Sequence, residues 1–337
     1  MTPTTPRVIR SCLLCLFASL FSLDAIALSE DMNQCLLNAI EGAKAETTVA
    51  ELRSSCESEA EGLLAGAVAG GPKDGESPIQ QRFQADWAAA ERNYIIMTHR
   101  PTYLMYTYNE HVNQLPYEEF SGLVAPLDDD EFKFQISFKM PIAQRLFNTN
   151  TDLYVAYTAI SWWQLLNDDI SAPFRETNYE PEIMVRHYGG PKLLGVKIAG
   201  WDFGFNHQSN GRVEPLSRSW NRIMGTVGLD MNELTVRLRA WYRLPQDEED
   251  DNNPHMHRYY GYGDALFVWT PNRNTFTALV RPGTEETAYE LTWSYPVSRF
   301  MRVYAQYFDG YGENMLDYNV RTQRIGIGIA LSDYLVR

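Results

Sequence analysis

A serine, a histidine and an asparagine on the apolar face of one hairpin are the residues of this chain best placed to do chemistry. Read at period 2, the run from Trp201 puts Trp201, Phe203, Phe205, His207 and Ser209 on one side, and Asp202, Gly204, Asn206 and Gln208 on the other. After a polar turn around Gly211 and Pro215, Asn221, Ile223, Val227 and Leu229 alternate with Arg222, Thr226 and Asp230. An antiparallel hairpin centred near Glu214 sets His207 opposite or nearly opposite Asn221, because directly opposed residues share a face. Ser209 lies two residues along that face, within reach of the imidazole. A hydroxyl nucleophile, an imidazole base and an amide that orients the base are the components of acyl transfer. A hydrated hairpin tip would carry the same residue types, so the pattern alone leaves both readings open.

The elements that must hold this hairpin are strands. From Tyr94 onward, alternating runs recur at approximately 94–108, 131–142, 151–164, 179–188, 194–208, 218–230, 233–243, 258–269, 273–281, 286–295, 300–309 and 321–332. That makes about twelve strands, an even number as a closed single-chain barrel requires. The last run has Ile325, Ile327, Ile329 and Leu331 on one face and Gly326, Gly328 and Ala330 on the other. The opposite faces of other runs carry Lys133, Gln135, Arg237, Arg239, Arg302, Gln306 and Arg324, too polar for a dry core. A lipid-facing barrel turns its apolar residues outward over a hydrogen-bonded lumen, which fits this pattern better than a soluble β-sandwich. Only every second residue then meets lipid, so a mean hydropathy of −0.35 is compatible with a membrane protein. Aromatics make up 13% of the chain and supply interfacial girdles. The expected fold is therefore an all-β, transmembrane antiparallel barrel of about twelve strands over residues 91–337, preceded by a small extension.

Ahead of the barrel, Arg7 and Arg10 precede an apolar run from Cys12 to Leu23, and Ala25-Ile26-Ala27 offers a cleavage site. Residues 1–27 read as a secretory signal, too short in apolar length for a membrane span. Cys35 and Cys56 are then the remaining cysteines, and an oxidising compartment predicts one disulfide between them. Residues 28–90 read as a partly helical periplasmic extension, interrupted by a Gly- and Pro-rich stretch from Gly66 to Pro78. The net charge of −14 becomes more negative when the signal leaves, which argues against a nucleic-acid partner. Among the loops, Asp247 to His257 is long and acidic, with His255 and His257 as potential metal ligands beside a plainer role as a solvated loop.

The words GFNHQSNGR (Gly204 to Arg212) and SRSWNR (Ser217 to Arg222) resemble bacterial outer-membrane phospholipase A. So do SWWQL from Ser161, PFRETNYEP from Pro173 and GYGENMLDYN from Gly310, in the same order over roughly residues 91–335. The resemblance implies a calcium-dependent phospholipase of A1 and A2 type in the bacterial outer membrane, with membrane phospholipid as substrate and a homodimer as the active state. It implies Ser209 as nucleophile, His207 as general base and Asn221 as orienter. Calcium, by the same resemblance, is held by Ser171 and the Arg212 carbonyl of one subunit and by Ser217 from its partner. Two departures stand out. The family's Tyr-Thr-Gln run, whose amide would support the catalytic asparagine, is here Tyr157, Thr158, Ala159, which predicts weaker support for Asn221. The chain also ends Leu335, Val336, Arg337, leaving Tyr334 as the nearest aromatic for recognition during assembly. Two readings of other classes accompany this one. A channel would need an open lumen, which the long inward side chains disfavour, and an adhesin or receptor would place function in the Asp247–His257 loop.

Overall fold

The computed structural model describes Thr48 and residues 76–90, 95–120, 126–247, 249 and 251–335. The signal segment, Cys35, Cys56 and most of the 28–90 extension lie outside the described residues. In chain order the elements are α1 (Pro78–Ala90), β1 (Met97–Thr98), β2 (Thr102–Asn109), α2 (Leu115–Phe120), β3 (Asp130–Ala143), β4 (Thr151–Trp163), β5 (Phe174–Tyr188) and β6 (Lys192–Leu193). They continue with β7 (Val196–Ser209), β8 (Ser219–Met231), β9 (Leu234–Arg243), α3 (His257–Tyr260), β10 (Gly263–Trp269), β11 (Thr275–Pro282), β12 (Thr287–Pro296), β13 (Arg302–Gly310) and β14 (Thr322–Ser332).

Setting aside the two-residue strands β1 and β6, each described strand pairs antiparallel with its sequence neighbour, and β14 pairs back onto β2 through Ile327 opposite Tyr106. Twelve strands of the described residues thus close a barrel, which removes the free edges an open sheet would expose. Along β2 every second residue is buried, and on β14 Thr322, Arg324, Gly326, Ala330 and Ser332 are buried while Ile325, Ile327 and Leu331 are 60%, 61% and 63% exposed. A polar inside under an apolar outside is the arrangement of a lipid-facing barrel.

The lumen is filled by ion pairs. Arg100 grips Glu180 through two bonds of 2.6 and 2.9 Å and reaches Glu182 at 2.6 Å. Lys133 meets Glu313 at 2.9 Å and Gln306 at 2.8 Å, and Glu131 pairs with both Arg175 and Arg324. Side chains so interlocked leave little room for solute, which removes the ground for the channel reading.

Three strand starts differ from the sequence expectation. The first run breaks at Arg100 and Pro101, since proline has no N–H for the ladder, so β2 begins at Thr102. The run from 258 opens instead as the helical turn α3; it stops at Gly261 (φ 63°), where a Cβ would collide with the Pro282 carbonyl. Strand β5 begins at Phe174 rather than near 179.

Helix α1, the described end of the predicted extension, seats against the barrel end that carries the shorter turns. Its Ile79 packs with Ala199, Leu266, Val268 and Leu335, and Ser77 donates to Asp230 at 2.7 Å. Tyr334 joins the same cluster, and its carbonyl accepts from Arg82. Asp86 bonds Arg82 at 3.1 Å and also takes the ammonium of the fully buried Lys139. Burial opposes ionisation of Asp86, but the cations of Arg82, Lys139 and Arg186 outweigh it and hold the carboxyl below its ordinary range. A depressed folded pKa contributes stability above the unfolded value, and that contribution disappears as pH falls below about 4. Asp86→Ala, which strands Lys139, is therefore expected to cost about 3 kcal/mol at neutral pH in urea unfolding, with the gap to wild type closing in acid.

Candidate active site

Strands β7 and β8 form the hairpin, and their register places Phe205 opposite Ile223, His207 opposite Asn221 and Ser209 opposite Ser219. Parity then divides the side chains. Asn206, Gln208, Trp220 and Arg222 are buried in the lumen, while His207, Ser209 and Asn221 lie outward beside the exposed Phe203, Phe205 and Ile223. His207 Nδ1 and Asn221 Oδ1 are 2.9 Å apart. An amide oxygen there accepts from Nδ1–H, which leaves Nε2 as the basic nitrogen on the side available to a substrate. Ser209 closes β7, next to Tyr179 of β5 on its other flank.

The lumen side braces this surface. Arg222 donates to Asn206 Oδ1 at 2.6 Å, to Glu180 at 3.1 Å and to Gln208 Oε1 at 3.2 Å, and its guanidinium lies 4.1 Å from the Trp220 ring centre. Trp220 in turn donates to Gln208 at 2.9 Å. Because alternate residues of one strand point to opposite faces, fixing 206, 208, 220 and 222 inside also fixes 207, 209 and 221 outside.

The loop between the two strands, 210–218, is organised by the buried Asn210. Its side-chain oxygen accepts from the Arg218 N–H at 2.9 Å, and its amide donates to the Leu216 carbonyl at 2.8 Å. Gly211 follows at φ 64° with the Tyr179 ring 3.0 Å from where a Cβ would lie, so both conformation and space call for glycine. Arg212 reaches back to Glu176 at 3.0 Å and to the Arg175 carbonyl, tying this loop to the start of β5. Just before β5, Ser171 and Ala172 both adopt left-handed backbone, at φ 61° and 49°, which holds Ser171 exposed on the 164–173 loop. Two adjacent non-glycine residues in that region carry strain, which the Trp163 indole offsets by donating to the Ala172 carbonyl at 2.9 Å.

Ser217 is the meeting point with the acidic loop. Asn252 donates to Ser217 Oγ at 2.9 Å and to Glu214 at 3.2 Å, while its own oxygen accepts from the Ser219 N–H at 3.2 Å. Arg243 anchors that loop through Asp251 at 2.6 Å and the Asn253 carbonyl at 3.0 Å, and Met256 is buried with Trp220, Met224, Trp241 and Tyr260. Through Asp251, Asn252, Asn253 and Met256 the loop is docked on the hairpin, while Pro254 and His255 stay exposed. His257 stacks on Tyr262, and no group of three or more His, Cys, Asp or Glu able to hold a metal occurs among the described residues.

Sequence reasoning missed Asn210, Asn252 and the Arg222 brace. The Asn-Gly step after β7 was the one available signal, since it marks a turn. The expectation for Ala159 is corrected by register. Ala159 pairs with Tyr179, which pairs with Ser209, so three strand steps, roughly 14 Å, separate β4 from Asn221 on β8. An amide at position 159 would not reach Asn221 within one barrel, so alanine there removes no support from it.

Residues 79–331 match the model of the phospholipase A1 family. Phospholipase A1 of Escherichia coli K12 is 33% identical over 258 residues, covering 71% of this chain and 85% of the relative. A putative phospholipase A1 of Neisseria meningitidis is 37% identical over 250 residues, covering 71% of this chain and 65% of that protein. Among solved structures, outer membrane phospholipase A of Escherichia coli superposes with a TM-score of 0.67 at 31% identity, covering 72% of this chain and all of that one. The Salmonella typhi enzyme, a dimer with bound calcium, gives 0.69 at 30% identity, covering 76% of this chain and 98% of that one. With sequence and barrel in agreement, the chain belongs to the phospholipase A1 family and is an integral β-barrel of the bacterial outer membrane.

Proposed function

We propose that this phospholipase cleaves the acyl esters of membrane phospholipids, with A1 and A2 specificity, at a Ser209–His207–Asn221 site on the lipid-facing side of the barrel. The observation that carries the reading is the 2.9 Å contact between His207 Nδ1 and Asn221 Oδ1 on the outward face, at the end where the longer loops lie. A phospholipid reaches that face without leaving the bilayer. His207 Nε2 takes the proton of Ser209 Oγ as the oxygen attacks the ester carbonyl, and returns it to the departing alcohol. Water, deprotonated by the same nitrogen, then releases the fatty acid. Asn221 fixes the tautomer and angle of the imidazole but brings no negative charge to offset an imidazolium.

Calcium fits the remaining need. Ser171 Oγ and the Arg212 carbonyl of one protomer, with Ser217 of the partner subunit, are hard oxygen donors of the kind calcium takes. The Arg212 guanidinium is drawn back onto Glu176 at 3.0 Å. When bound, the ion supplies positive charge to the oxygen that develops on the ester carbonyl. Drawing donors from two subunits makes the homodimer the active state, and the calcium-bound dimer of the Salmonella typhi relative supports this reading. The test is phospholipid hydrolysis by the refolded protein in calcium and in chelator: activity that survives chelation removes the metal from the proposal.

Asn252 gives a second check. Its amide holds Ser217 Oγ in place, and loss of such an outer contact typically weakens metal affinity by about 10- to 100-fold. Asn252→Ala is expected to raise the calcium concentration for half-maximal activity by about tenfold. The same shift is expected for calcium-dependent dimerisation followed by sedimentation. An unmoved calcium midpoint would show that the acidic loop does not act through Ser217.

A further inference from the structure

Strand β9 turns Thr235, Arg237 and Arg239 into the lumen, while Leu238 and Ala240 are exposed on the outer face. Thr235 is 4% exposed, and neither its Oγ1 nor the buried Nε of Arg237 has a hydrogen-bond partner among the described residues. Leaving such groups unpaired is costly, most of all for the charged one. Both residues line one cavity of about 150 Å³ inside the barrel, beneath α1. Asp264 bonds Arg237 at 3.2 Å and takes Arg239 through two bonds, one of 3.0 Å. Two guanidiniums thus share one carboxylate, and the trio keeps one positive charge in surplus. Other carboxylates nearby are engaged. Asp230, opposite Thr235 in the ladder, is turned to α1, where Ser77 and Gln80 donate to it at 2.7 and 2.9 Å. Glu182 and Asp202 line the same cavity but are bonded to Arg100 and Arg186. The space beside Arg237 is left by Gly228, which faces it on β8; a Cβ there would meet nothing nearer than Ala199 Cβ and the Gly200 carbonyl, both at 3.8 Å.

We propose that Arg237 and Thr235 bind a small inorganic oxyanion, phosphate or sulfate, in this cavity. The two residues are neighbours on one face of β9, roughly 7 Å apart, so one tetrahedral ion between them can accept from Nε–H and from Oγ1–H. Its charge answers the surplus of the Arg237–Arg239–Asp264 trio, and a bond from a guanidinium to an oxyanion is of the strong, charge-assisted kind. The volume is several times the roughly 30 Å³ that one water takes up in the liquid, which admits such an ion with part of its hydration. Ile79 and Phe83 of α1, with Leu335, line the cavity at the barrel end that carries the shorter turns. The barrel wall separates it from lipid, so a phosphate that carries acyl chains does not enter. The same wall separates it from the outward His207 and Ser209, and the site therefore stands apart from ester hydrolysis.

The test uses the full-length protein refolded in detergent and radiolabelled inorganic phosphate in equilibrium dialysis, with chloride holding the ionic strength constant. Wild type is expected to bind saturably, one ion per chain. Arg237→Met is expected to weaken the affinity by about 10- to 100-fold and Thr235→Val by about fivefold, as loss of a charged and of a neutral hydrogen bond. Gly228→Val keeps both donors but fills the space, and is expected to abolish binding. In parallel, phosphate is expected to raise the urea midpoint of wild type more than that of Arg237→Met or Gly228→Val. Phosphate also favours folding generally, through exclusion from protein surfaces; that effect is common to all variants, so the difference between them is the reading. Arg239 keeps both bonds to Asp264 in Arg237→Met, so this variant is expected to retain the barrel's heat-modifiable mobility on gels. If it does not, Gly228→Val, which changes no charge, carries the test. Absence of saturable binding, or equal affinity in wild type and all variants, would overturn the site and leave the cavity to water. Stabilisation by phosphatidylglycerol in the micelle but not by free phosphate would also overturn it, moving the anion to the lipid-facing side.

Discussion

Ser209→Ala is expected to lower phospholipid hydrolysis by about 10,000-fold or more while leaving the barrel's stability within about 0.5 kcal/mol of wild type. The two halves of this expectation have separate causes. In the proposed mechanism chemistry is lost because the hydroxyl is the atom that forms the covalent bond, and water positioned by His207 is a poor substitute. Stability is kept because Ser209 is an outward, half-exposed residue, and the bonds that define the hairpin belong to its inward neighbours Gln208, Asn210 and Arg222. Asn221→Ala is expected to cost less than Ser209→Ala, since the base survives and only its tautomer and angle are released. The measurement is kcat on micellar phospholipid with calcium present, beside urea unfolding of each variant. A variant that lost activity and stability together would show that Ser209 acts through the fold. Full activity in Ser209→Ala would place the nucleophile elsewhere.

The hairpin was legible because parity and register are local. Once Phe203, Phe205 and Ile223 were read as one face, His207 and Asn221 had to meet across the turn, and the ladder has them as direct partners. The outward isoleucines of the last strand were legible for the same reason. What escaped the sequence was contact between distant segments. Asn252 lies far from Ser217 in the chain, and nothing in an acidic loop marks which of its amides will dock. Nor does alternation tell which strand stands next to which: Ala159 looked like a neighbour of the site until the strand order put β5 and β7 between it and Asn221. Loops 164–173 and 210–218 show a middle case, in which Gly211 announced a turn but the left-handed pair at Ser171 and Ala172 did not.

The same distant contacts fill the lumen, and there the largest stability effect is expected at Glu131. Its carboxylate accepts from Arg175 at 2.5 and 3.1 Å, faces the Arg324 guanidinium at 2.8 Å, and takes the Gln164 amide at 3.1 Å. All of this is out of contact with solvent: Glu131 is 1% exposed, Arg175 2% and Arg324 1%. Removing one partner of such a cluster costs more than the pair contributes, because the cations left behind stay buried. Glu131→Leu is therefore expected to destabilise the barrel by about 3–5 kcal/mol. Glu131→Gln, which keeps the shape and one acceptor, is expected to lose less. Asp317 and Glu313 soften the blow by retaining one contact each to Arg175 and Arg324, at 2.7 and 3.0 Å. Urea unfolding in detergent separates the outcomes. A large drop for leucine and a smaller one for glutamine would mean that the lumen is dry enough for charge pairing to set stability. Equal, small drops would mean that water enters and solvates the arginines. The cluster also touches the candidate site, because Arg175 is the second residue of β5 and its carbonyl accepts from Arg212. If the lumen holds Arg175 in place, Glu131→Leu should also raise the calcium requirement, although residue 131 is buried inside the barrel and the proposed ligands lie at its outer rim.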